Sequence, residues 1–96
     1  MIVHIVMIKF KNDTTKEQIL DIKNRLEGLV DKIEPLNTME VGLNFKPSDR
    51  AMDLVLTATF NTKDGLEVYS PHSAHQEIVK DIKALGEYTK VVDYEK

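Results

Sequence analysis

The sequence predicts an α+β sandwich: four antiparallel strands with helices packed on one face, in the order β-α-β-β-α-β. Three observations carry that prediction. Apolar residues recur at period two in four separate stretches and at helical spacing in two segments between them. The two halves of the chain repeat the same order at similar length. Finally, several strands are apolar on both sides, which helices on one face alone do not explain.

At 96 residues the chain is read as one domain, residues 1–96. The first strand is Ile2 to Phe10. Ile2, Val6, Ile8 and Phe10 share one side with His4, and Val3, Ile5 and Met7 occupy the other. This apolar start is too short for a membrane span, and no basic run precedes it. Thr14-x-x-Glu17 reads as a capping box that opens an amphipathic helix. Ile19, Ile22, Leu26, Leu29, Val30 and Ile33 form its apolar stripe, and Pro35 ends it.

Period two returns from Met39 to Phe45, with Met39, Val41, Leu43 and Phe45 on one side, and Lys46 to Arg50 makes a polar turn. Asp53 to Phe60 is the third strand. Asn61-x-x-Asp64 is a weaker cap for a short helix through Leu66 and Tyr69, which Pro71 interrupts. A further helix runs from about His72 to Leu85, with Gly86 in a capping position, and Tyr88 to Glu95 is the last strand. A sheet covered by helices on one side and apolar on the other calls for a partner. The economical one is a second copy, so that two sheets face each other in a dimeric barrel.

The net charge of −3, with acids and bases interleaved, argues against a phosphate-backbone binder. No nucleic acid, membrane or cofactor is expected, and the lack of cysteine suits a cytoplasmic location and excludes thiolate chemistry. The stretch Tyr69-Ser70-Pro71-His72-Ser73-Ala74-His75 concentrates the chemistry, with two of the three histidines and one of the three tyrosines. His75 shares a helical stripe with Ile78, Ile82 and Leu85, and Tyr69 lies six residues earlier across the proline. A phenol and a neutral imidazole in one apolar cavity act as hydrogen-bond donor and general base. The competing reading is structural: a core histidine satisfied by a carbonyl and a tyrosine that covers apolar surface.

His4, among aliphatic neighbours, needs a polar partner of its own, in the core or in a cavity. His72 is expected to face solvent. The His72-x-x-His75 spacing lacks the further ligands of a metal site, so none is assigned. Asp53 and Asp93 read as solvated, and Met7, Met39 and Met52 as gap-filling. Phosphate loops and nucleophile elbows are absent.

Val3-His4-Ile5-Val6, Glu40-Val41-Gly42-x-Asn44, Phe60-x-x-x-x-Gly65-Leu66-x-x-Tyr69-x-x-His72-x-x-His75 and Val92-Asp93-Tyr94 together resemble the stress-responsive A/B barrel (Dabb) domain over nearly the whole chain. The resemblance implies a ferredoxin-like protomer that dimerises through its sheet, with a small-molecule pocket at His75, Tyr69 and His4. By similarity to plant members that cyclise polyketides, His75 would be the base, Tyr69 would position a carbonyl or enolate, and His4 would help bind. It also implies a cation held by carbonyls in some members, at the stretch matching Leu29 to Leu36, which is not assigned here. Two other functions stay open: a non-catalytic stress or structural dimer, and a cofactor-free monooxygenase.

Overall fold

The computed structural model describes residues 1–96. Its elements are β1 (Ile2–Phe10), α1 (Lys16–Glu27), a 3-10 turn (Gly28–Asp31), β2 (Leu36–Leu43), β3 (Leu54–Phe60), α2 (Lys63–Tyr69), α3 (Ser73–Leu85) and β4 (Gly86–Glu95). The strands form one antiparallel sheet in the order β2-β3-β1-β4, a ferredoxin-like arrangement. No helix is long and apolar enough to cross a membrane.

The cap of α1 lies one residue later than expected. Thr15 Oγ1 accepts from the Gln18 N–H at 3.1 Å, and Gln18 Oε1 accepts from the Thr15 N–H at 2.9 Å. Thr14-x-x-Glu17 fits the same pattern, but the Thr14 hydroxyl instead donates to Leu85 O at 3.3 Å. The α-helix also ends earlier than Pro35, at Glu27. Gly28 supports a helix poorly, and the chain tightens into the 3-10 turn, where Leu29 O takes the N–H groups of both Lys32 and Ile33. The cap of α2 is Thr62 and not Asn61: Thr62 Oγ1 accepts from Gly65 N–H, while the Asn61 amide oxygen accepts from Asn37.

The second strand begins at Leu36 and stops at Leu43, the last residue paired with β3. Phe45 therefore lies beyond the sheet and is 94% exposed, not part of its core face. Gly86 is the first residue of β4, so helix and strand join without a loop. A Cβ there would sit 2.6 Å from Ile82 O, which makes glycine a requirement of the junction.

The core lies between the helices and one face of the sheet. Ile22, Leu26 and Leu29 close over Ile8, Phe10, Leu54, Leu56 and Phe60. Gly65 lets α2 approach, since a Cβ on it would meet Pro35 Cβ at 3.3 Å and Phe60 Cβ at 3.4 Å. That approach sets Tyr69 into the core. On the opposite face no helix covers the sheet: Val55 is 37% and Val92 53% exposed, and Tyr88 and Tyr94 lie open beside them.

Candidate functional site

The site begins with a break in the backbone. Tyr69 ends α2 and Pro71 brings no N–H, so the chain restarts as α3 at Ser73. In a continuous helix the Ser70 carbonyl would accept from Ala74 N–H. Here Ala74 N–H donates instead to Nδ1 of His72, the N-cap of α3, at 3.1 Å. His72, expected to face solvent, is thus a half-buried cap. The orphaned Ser70 carbonyl accepts from His75 Nδ1–H at 2.9 Å and from Gln76 Nε2 at 2.7 Å.

This contact fixes the His75 tautomer. With the proton on Nδ1, Nε2 carries a free lone pair. Burial of the ring pushes its pKa down from 6.5, the Ser70 carbonyl partly opposes this, and His4 and His72 add to the depression. His75 is therefore neutral at neutral pH, as a general base must be.

The three residues singled out in the sequence meet at one place. The Tyr69 ring lies 4.2 Å from that of His75 and 6.0 Å edge-on from that of His4, centroid to centroid. Phe60 supports Tyr69 from the sheet at 5.2 Å. Tyr69 is 0% exposed, its hydroxyl has no hydrogen-bond partner, and burial pushes its pKa above the ordinary 10, so the phenol stays protonated.

His4 comes from the centre of β1, where it pairs with Ala58 on one side and Asp93 on the other. Its Nδ1–H donates to Asp93 Oδ1. Asp93, read from sequence as solvated, is therefore the polar partner that His4 required; the alternation of β4 places it on the helix side, but only the strand register pairs it with His4. Asp53 is similarly engaged: its Oδ2 accepts from Phe10 N–H at 2.8 Å, where β1 shifts register against β4, and Lys9 lies 3.5 Å from its other oxygen.

His4, Tyr69 and His75 line a cavity of about 230 Å³. Apolar side chains make most of its wall, among them Val6, Ile8, Leu26, Leu56, Val79 and Ile82, and the exposed Ser70, Lys83 and Thr89 also border it. A larger groove of about 500 Å³ runs between α1 and α3. Its central cation is already engaged, since Arg25 Nη1 donates to Asp81 Oδ2 at 2.7 Å and to Asp21 Oδ2 at 3.3 Å. The smaller cavity is the better candidate, because it alone joins a free imidazole nitrogen to an apolar wall.

Comparison with known proteins bears on the family and the fold. Residues 2–96 match the family described as "Stress responsive A/B Barrel Domain". A stress-response A/B barrel domain-containing protein of Arabidopsis thaliana is 29% identical over 94 residues, covering 95% of this chain and 82% of that protein. Among solved structures, a dimeric protein of unknown function and ferredoxin-like fold from Bacteroides fragilis has a TM-score of 0.86 at 30% identity, covering 99% of this chain and 95% of the other. A hydroxynitrile lyase from Passiflora edulis has a TM-score of 0.85 at 21% identity, covering 97% and 90%.

Proposed function

The chain belongs to the stress-responsive A/B barrel domain family, and from that premise we propose that it is a homodimer with a small-molecule pocket in each protomer, in which His75 removes a proton next to a carbonyl. The observation that carries the reading is the Ser70 contact. It puts the proton on Nδ1 and leaves Nε2 unprotonated on a ring that lines an apolar cavity. In the reaction Nε2 takes a proton from carbon, the electron pair moves onto the carbonyl oxygen as an enolate, and the imidazolium returns the proton to product. The Tyr69 phenol supplies a hydrogen bond to that oxygen once substrate or a small ring movement brings the two into range. His4, held by Asp93, helps bind. The Passiflora lyase shares the fold, so such a scaffold accommodates catalysis.

The open face of the sheet supports a dimer formed there. Its central row runs Glu40, Thr57, Ile5, Val92 across the four strands, and the next runs Gly42, Val55, Met7, Lys90. These rows offer a second copy an apolar centre with a polar edge. The Bacteroides relative is described as dimeric, which supports a homodimer.

One observation favours a second reading, a non-catalytic dimer: the Tyr69 hydroxyl is sealed from solvent. Two measurements separate the readings. Deuterium uptake next to the carbonyl of enolisable diketones, followed by NMR, is expected to run above the protein-free rate with the wild type and at that rate with His75→Ala. A thermal-shift screen with phenols, quinols, diketones and lactones is expected to give stabilisation that needs His75. Equal exchange with both proteins and a silent screen would favour the structural module. Oxygen consumption with a quinol would instead indicate a monooxygenase.

A further inference from the structure

The reading of the His75 cavity as a ligand site can be taken further, to the class of ligand. Twelve residues line the cavity and none is Asp or Glu. Lys83 is the one permanently charged side chain among them, and it takes part in none of the five ion pairs that the lysines and arginines of the chain make, which engage Lys9, Lys23, Arg25 and Lys63.

A lysine in the last turn of a helix ordinarily answers the free carbonyls there. In α3 that role is filled by other groups. Ala84 O accepts from Lys11 Nζ at 3.1 Å. Leu85 O accepts from Lys11 N–H at 2.9 Å and from the Thr14 hydroxyl, and Ile82 O accepts from Gly86 N–H. Lys83 is thus a cation with no structural partner beside an apolar cavity.

Its position suits a ligand that also reaches His75. Eight residues along α3 separate them, roughly 12 Å of helical rise. Helical side chains lean towards the N-terminus, so the Lys83 stem leans back towards His75 while its ammonium stays at the water boundary. A volume of about 230 Å³ falls below the roughly 300–1,000 Å³ of drug-sized sites. The body of the ligand is therefore about one ring or a short branched chain. A buried phenol and a neutral imidazole cannot balance a full negative charge, whereas an ammonium can.

We propose that the cavity takes a small enolisable organic acid, with Lys83 holding its carboxylate at the mouth and the carbon next to its carbonyl lying towards His75. The test uses phenylpyruvate and its methyl ester, which differ in one charge, titrated calorimetrically at neutral pH into the full chain as wild type, Lys83→Met and His75→Ala. The wild type is expected to bind the acid roughly tenfold more tightly than the ester, and Lys83→Met to erase that preference by weakening the acid alone. Lys83 is exposed, so the variant keeps its fold, which circular dichroism checks.

Equal binding of acid and ester by the wild type, or a preference that survives Lys83→Met, overturns the role of Lys83. If the ester then still needs His75, the pocket itself stands. Binding of neither compound by the wild type overturns the assigned ligand class, and loss of diketone exchange besides would remove the catalytic reading with it.

Discussion

Replacing Tyr69 with phenylalanine removes one oxygen and leaves the ring contacts to Phe60, His75 and His4 in place. In the folded chain that oxygen is buried and without a partner. In the unfolded chain water satisfies it. A buried polar group left unsatisfied costs about 1–3 kcal/mol, and deleting a single atom forfeits a smaller amount of packing. Tyr69→Phe is therefore expected to be more stable than the wild type by about 1 kcal/mol, which in a domain of this size raises Tm by about 4–8 °C. The assay is thermal unfolding at matched protomer concentration, because association makes Tm concentration-dependent. A Tm lowered by the same margin would refute the reasoning, since it would mean that the hydroxyl has a partner in solution. Repeating the melts with a bound acid or diketone separates two explanations for the tyrosine. If the hydroxyl is kept for a ligand, the variant gains stability alone and loses ligand-induced stabilisation, a polar group retained at the expense of stability. If it gains stability and responds to ligand as before, the hydroxyl lies outside the ligand's reach.

Three further outcomes are expected. The folded His75 has a pKa below its ordinary 6.5, so the unfolded chain binds the extra proton first as pH falls. The corresponding stability is complete above pH 6.5 and declines below it down to the folded pKa; the acid-side fall in Tm should be shallower in His75→Gln, and identical slopes would show that His75 is not held neutral. Val55→Asp or Val92→Asp places a charge on the open sheet face and should shift the mass in light scattering from twice the 11.0 kDa protomer to one protomer; an unchanged mass would move the interface elsewhere. Gly86→Ala forces a Cβ to 2.6 Å from Ile82 O and should destabilise by about 1–3 kcal/mol, read from denaturant midpoints, whereas a wild-type midpoint would show that the junction of α3 and β4 yields easily.

Periodicity made most of the fold legible. Ile2 to Phe10 alternates as β1 does, and the stripe through Ile22 and Leu26 is the one α1 buries. Errors fall where two local solutions cost nearly the same. Thr14 with Glu17 and Thr15 with Gln18 are equally good capping boxes, and the choice depends on Leu85 O, distant in sequence, which takes the Thr14 hydroxyl. Phe45 continued the alternation of Met39, Val41 and Leu43, yet its partner strand starts only at Leu54, so the pattern outran the pairing. Helical spacing likewise carried the stripe on to Ile33, while the α-helix itself ends at Glu27.

For the site, residue type pointed to His75, Tyr69 and His4, but what orients the His75 ring is backbone bookkeeping that no pattern displays. Pro71 ends a helix, His72 takes the N–H that would have satisfied Ser70, and the carbonyl so released orients His75. Each step follows from counting donors and acceptors across the break. The position of a proton on one nitrogen is thus decided four residues away by a residue that bears none. Asp93 and Lys83 escaped the sequence for the complementary reason. Both are charged residues on exposed surface, where solvation is the ordinary state, and both gain meaning only from neighbours set by tertiary structure: His4 across a strand pairing for Asp93, and for Lys83 the carbonyls that Lys11 and Thr14 already occupy. A charge becomes a candidate for function when other groups already meet the needs beside it, as Lys11, Thr14 and Gly86 do for the carbonyls of Ile82, Ala84 and Leu85 beside Lys83.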